Sequence, residues 1–194
     1  MYTDYQSFVD SLLAKYGGAT VNYFSEKSYQ RFLAGEIKSL STQRAISRTA
    51  EGLYCHHIDE NKEILVSTPA HIREFRTPYD LQKADRLVYC NLLEHGILHV
   101  LIAVENPRPV NRMLLGIGGY VNFIRPELLY WFEYGHVPTA VWQRHCYDTV
   151  ANSIPDVTQA VAELDDFLIS HYPITTNILD ELYHNFVARA EGFA

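Results

Sequence analysis

The chain has little cysteine, no long apolar run and no excess of positive charge, and each shortage removes a class of protein. Three cysteines (Cys55, Cys90 and Cys146) make an odd number with no CxxC spacing. That excludes a disulfide framework and a four-cysteine zinc site, and it leads us to expect reduced thiols in a cytoplasmic setting. No stretch approaches the roughly 18 apolar residues of a membrane span, so no membrane association is expected. Residues 1–18 carry Asp4 and Asp10 and lack a basic start followed by an apolar segment, which is not the pattern of a signal peptide. Lys and Arg number 16 against 23 Asp and Glu, a formal net charge of −7. Coating of nucleic acid by bulk electrostatics is excluded on that balance. Internal repeats and low-complexity segments are also missing.

What is present is ordinary for a globular protein. Of 194 residues, 47% are hydrophobic and 20% charged, enough to bury one sizeable core without disulfides. The charge is uneven. Residues 1–50 hold six Lys/Arg against four Asp/Glu, residues 51–104 five against eight, and residues 105–194 five against eleven. A polyanion would therefore meet the N-terminal part and the loop arginines, while the acidic C-terminal half faces away or serves a protein partner.

Apolar spacing and capping residues predict helices over residues 3–15, closed by Gly17–Gly18, and over "SEKSYQRFLAGE", opened by Ser25. Residues 38–50 read as a further helix or a bridging loop. "EGLYCHHI" and "RLVYC" read as strands and "KEILVST" as a third, short one stopped by Pro69. Between them, "PAHIREFRTPYDLQKAD" reads as a long loop with one helical turn. Asn91 then caps a helix over "NLLEHGILHVLIAVE", where Gly96 costs about 1 kcal/mol relative to Ala. "NPRPVNR" at 106–112 is a turn, and the remainder is helical, with Pro126 in a first turn. The aromatics of "YVNFIRPELLYWFEYG" at helical spacing read as core rather than as a surface for stacking bases.

The chemistry lies in four histidines. His56 and His57 are adjacent on a strand, so the pleat sends them to opposite faces. His95 and His99 are four apart on the helix and share one face. One strand histidine added to this pair gives three nitrogen ligands and an open position, the pattern of a working metal site. The other strand histidine is left free to act as a base. Cys55 and Cys90 flank the site but read as small buried hydrophobes. The remaining histidines have no partners at metal-ligand spacing and are assigned no role.

"CHHI" on a strand, a long loop and then "RLVYCNLLEHGILH" on a strand and helix resembles the HNH, or His-Me finger, nucleases over residues 51–104. The matching elements are the histidine pair, Leu87–Val88, Glu94–His95 and His99. The resemblance implies an α+β, mostly α-helical chain with a ββα-metal core and helical N-terminal (1–50) and C-terminal (105–194) flanks, forming one compact unit. It implies metal-dependent hydrolysis of DNA phosphodiester bonds, with His56, His95 and His99 as ligands to one divalent ion and His57 as general base. Histidine ligands favour zinc, with Mn, Ni or Mg as alternatives. Arg86 stands where the family has Asn. Arginine suits a phosphate contact at the catalytic centre, although it cannot accept a hydrogen bond as an amide can. Arg44, Arg48, Arg73, Arg76 and Lys83 are candidate DNA contacts, and Glu94 a candidate for orienting a ligand. The setting implied is a phage or bacterial mobile element. The alternative is a non-catalytic module that keeps the fold, such as a phage-type inhibitor of a host nuclease or defence complex. A third is a hydrolase of a small phosphoester.

Overall fold

A computed structural model describes residues 4–109 and 114–192. Helix α1 (Tyr5–Tyr16) starts where the Asp4 side chain accepts the Ser7 N–H and stops at Gly17, whose φ of 74° ends the helix. Its buried face is Tyr5, Phe8, Val9 and Leu12, the i, i+3, i+4, i+7 stripe of a helix with one side in the core. Helix α2 (Glu26–Leu33) is capped by Ser25. Its Tyr29 and Phe32 pack with Phe24, Ile72 and Tyr79 in a small separate cluster.

Residues 38–50 form no further α-helix. They contain two 3₁₀ turns, Arg44–Ile46 and Thr49–Glu51. Strand β1 (Tyr54–His57) follows, and pairs antiparallel with β2 (Leu87–Cys90) in register His56 to Val88 and His57 to Leu87. The short strand expected at "KEILVST" does not form. Ile58–Asn61 is a 3₁₀ turn and Leu65 turns back with φ 52°, which breaks the extended backbone that Ile64, Leu65 and Val66 would need to form a strand. The long loop carries more helix than one turn: α3 (Pro69–Phe75) and two 3₁₀ turns, Tyr79–Gln82 and Ala84–Arg86.

Helix α4 (Leu92–Glu105) begins with a complete capping box. The Asn91 side chain accepts from Glu94 N–H, and the Glu94 carboxylate accepts from Asn91 N–H. Gly96 is tolerated because Tyr120 and Ile124 press against it: a Cβ there would stand 3.3 Å from Ile124 and 3.4 Å from Tyr120. The turn expected at 106–112 runs into residues outside the described ones. After it, α5 (Ile117–Gly119), a π-helical turn (Tyr120–Ile124) and α6 (Arg125–Phe132) run on from one another. Three long helices complete the chain: α7 (Val141–Ser153), α8 (Val157–His171) and α9 (Thr176–Ala190). The protein is thus α+β and mostly helical. Among the described residues, no helix is long and apolar enough to cross a membrane.

Two packing layers position the strand pair. On one side α1 buries Tyr5, Phe8, Val9 and Leu12 against Val88 and Cys90 of β2 and Leu98, Leu101 and Ile102 of α4. On the other, Leu92 and Leu93 of α4 join Leu128, Leu129 and Trp131 of α6 and Val150 of α7. Tyr120, Tyr130 and Trp131 are core as expected, whereas Phe123 is 68% exposed.

Candidate metal centre

The pleat of β1 divides the adjacent histidines. His56 turns under α4 and meets the i, i+4 pair: His56 Nδ1 lies 3.2 Å from His95 Nε2, which lies 3.2 Å from His99 Nε2. The three ligand atoms are all within 4.8 Å of one another, and the cluster could hold one metal ion. His57 turns the other way. Its ring packs on Tyr23 with centroids 4.5 Å apart, and its Nε2 bonds Gln82 Oε1 at 3.2 Å.

The hydrogen bonds behind the cluster set the protonation of two of its rings, His56 and His99. Tyr5 has one hydroxyl proton and donates it to the Ile58 carbonyl at 2.8 Å. Its oxygen therefore accepts from His56 Nε2–H at 3.0 Å, leaving the Nδ1 lone pair aimed at the other histidines. His99 Nδ1 faces the Gly116 carbonyl at 3.0 Å, and a carbonyl can only accept. The proton is thus on Nδ1, and the Nε2 lone pair turns inward. Metal-binding histidines are oriented by such outer partners, and both are built into this chain. On the far side of β1 the same reasoning applies. Gln82 Nε2 donates to the Val66 carbonyl at 2.8 Å, which points Oε1 at His57 and fixes that proton on Nε2.

Burial keeps these rings neutral. It pushes His56 and His95 well below the ordinary histidine range, with the neighbouring rings adding to the effect, and it takes His99 and His57 down to about 4. Neutral imidazole is the metal-binding form. The group that sequence reading missed is Glu60, in the 3₁₀ turn after β1. Its Oε2 lies 3.6 Å from His99 Nε2 and 3.9 Å from His56 Nδ1, and its Oε1 lies 4.0 Å from His57 Nδ1. Burial raises its carboxyl to about 7. The available signal was its spacing, three and four residues after the histidine pair.

The glycines of "GIGG" were also unread. A Cβ on Gly119 would lie 2.4 Å from His99 Cε1, and one on Gly116, at φ 75°, would lie 2.4 Å from the His99 carbonyl oxygen. The backbone from Gly116 through α5 can lie against His99 only with glycine at these two positions. A cavity of about 380 Å³ opens over the cluster, walled by Glu60, His95, His99, Gly119, Leu65 and Phe123 among others. Among the described residues, none of those lining it is Lys or Arg.

The other residues singled out in the sequence lie elsewhere. Glu94 is held by the capping box, by Lys15 Nζ at 2.7 Å and by the Tyr16 hydroxyl at 3.2 Å. It ties α1 to α4 rather than orienting a ligand. Arg86 forms a bidentate pair with Asp59, both contacts at 2.6 Å. Burial works to raise the Asp59 carboxyl, but the bonds from Arg86 and Lys62 outweigh it and lower its pKa. Arg48 pairs with Glu51 and lies over the Tyr89 ring. Arg73 lies over Phe32, Arg76 donates to the Leu33 carbonyl at 2.7 Å, and Lys83 pairs with Asp80. Arg44 is exposed. Apart from Arg44, these cations are tied to partners within the N-terminal half, and none of them lines the cavity. Cys90 is buried, and neither it nor Cys55 joins the cluster.

No family model, curated protein or solved structure matches the chain.

Proposed function

We propose that the protein is a metal-dependent endonuclease of the HNH type, hydrolysing DNA phosphodiester bonds, with β1, β2 and α4 as its ββα-metal core. The observation that carries this reading is the convergence of His56 Nδ1, His95 Nε2 and His99 Nε2 from a strand and a helix packed on it. Zinc suits three imidazole donors best, with Mn or Ni as alternatives. An ion held there would polarise the scissile phosphate and stabilise charge on the leaving 3′ oxygen. His56 and His99 are held in the ligating tautomer by Tyr5 and Gly116. His57, neutral at pH 7, is the proposed base for the proton of the attacking water; its unprotonated Nδ1 lies 4.0 Å from Glu60 Oε1, and its ring is buried against Tyr23 rather than in the cavity wall. Leu65 and Phe123 at the rim, 53% and 68% exposed, would receive bases rather than phosphates.

One observation favours a second reading. The cavity wall carries no described cation, and Arg86, the candidate phosphate contact, is committed to Asp59. A protein that retains the ion for stability and binds a partner without cutting would show this arrangement. Incubation of supercoiled plasmid with Mn, Ni or Zn separates the two. The nuclease reading expects nicking by the wild type and loss of at least 100-fold in His57→Ala, consistent with removal of a general base. Zinc-loaded protein that nicks with none of these metals would replace it with the binding module.

A further inference from the structure

The Glu60 carboxylate sits in a place where an anion has no cation to meet. It faces the imidazoles of His56, His57 and His99, and among the described residues it makes no hydrogen bond and no pair with Lys or Arg. Its side chain is about one-fifth exposed at the cavity wall, and a partly desolvated carboxylate without a partner is disfavoured. Its oxygen lies 3.6 Å and 3.9 Å from the His99 and His56 nitrogens, which are themselves 3.2 Å from that of His95. Ligand atoms about 2.0–2.1 Å from a tetrahedral zinc stand roughly 3.3 Å apart, and the Glu60 side chain is long enough to close the difference.

We propose that Glu60 is the fourth protein ligand, making a His₃Glu site from β1, the turn that follows it, and α4. The proposal rests on the three-histidine metal reading and adds to it an anionic donor. Two things follow. The ion and the carboxylate each satisfy the other, so a group that destabilises the metal-free chain becomes a stabilising one on loading. A site with four protein donors is also of the closed type, so a substrate phosphate reaches the ion only by displacing Glu60 into the cavity it lines.

The test compares wild type, Glu60→Gln, Glu63→Gln and His95→Ala, full length, by zinc competition against a chelator, by cobalt absorption and by thermal melting with and without zinc. Glu60→Gln is expected to bind zinc at least 10-fold more weakly, to change the cobalt spectrum, and to melt at or above the wild-type temperature when metal-free, because an unpaired anion has gone. Its zinc-induced rise in melting temperature shrinks. Glu63→Gln, a carboxylate of the following residues that pairs with His71, keeps wild-type zinc affinity and spectrum. Zinc affinity and cobalt spectrum in Glu60→Gln equal to wild type, with binding lost in His95→Ala, overturn the Glu60 assignment alone. Zinc binding by His95→Ala as tight as by wild type overturns the three-histidine reading beneath it.

Discussion

His56 on β1 and His95 on α4 meet nitrogen to nitrogen at 3.2 Å, across 39 residues of sequence. The contact exists because α1 and the strand pair press α4 into place from one side. The residue behind His56 is Tyr5, in the first turn of α1. The centre therefore depends on residues outside the strand–strand–helix unit, and substitutions at those residues should disturb metal binding.

Gly119 gives the sharpest of them. Its backbone is helical, at φ −63° and ψ −46°, so alanine there is free of backbone strain and gains about 1 kcal/mol of helix propensity. The methyl group would nevertheless lie 2.4 Å from His99 Cε1. Gly119→Ala should keep its circular dichroism and lose at least 10-fold in zinc affinity. Gly118→Ala, whose Cβ meets nothing nearer than 3.9 Å, should bind zinc as wild type does. Equal affinities in the two variants would show that His99 is not a ligand.

Tyr5→Phe removes the hydroxyl that fixes the His56 tautomer and leaves the Ile58 carbonyl without that donor. We expect a loss of about 1–3 kcal/mol in metal-free stability and of 10- to 100-fold in zinc affinity, read by urea melts and chelator competition. A stability loss with unchanged affinity would confine Tyr5 to packing.

What the sequence disclosed and what it hid divide on physical lines. His95 and His99 were legible as one helix face because the helix repeat is a fixed period, and the strand pleat let only one of His56 and His57 join them; that the one is His56 was implied by the resemblance alone. Asn91 and Ser25 announced their helices by capping chemistry. Glu60 was hidden because a 3₁₀ turn has no long-range period, and an acidic residue there reads as a solvated one. Gly116 and Gly119 were hidden because their need is set by His99, a residue of another helix. Arg73 and Arg76 were read as phosphate contacts because charge alone does not show that their guanidinium groups are used to hold α2. "KEILVST" had the short apolar run of a strand, Ile64 to Val66, but the backbone turns back at Leu65.

The metal-free protein should weaken on acidification. His57 and His99 titrate near 4 in the folded chain, and His56 and His95 lie well below their ordinary value, against about 6.5 unfolded. The unfolded chain thus binds more protons across pH 4 to 6.5, and this stability is complete above 6.5 and lost as pH falls through that window. Glu60 acts in the opposite sense: its folded pKa is about 7, so it offsets part of the effect of one histidine. Melting temperature measured from pH 7 to 4.5 should fall steeply. A flat profile would mean that the rings are not enclosed in solution.

Arg86 should behave as a structural residue. Its partner Asp59 has a side chain only 4% exposed, and Arg86→Ala leaves it with Lys62 alone. We expect a loss of about 1–3 kcal/mol in stability. Unchanged stability with weakened DNA binding would return Arg86 to the phosphate role.

The most direct test of the metal centre is the number of ions each chain holds. Protein stripped with chelator, reloaded with zinc and weighed by native mass spectrometry should carry one ion per wild-type chain and none in His56→Ala, His95→Ala or His99→Ala. A wild type that takes up no ion, or triad variants that each still hold one, would contradict the account.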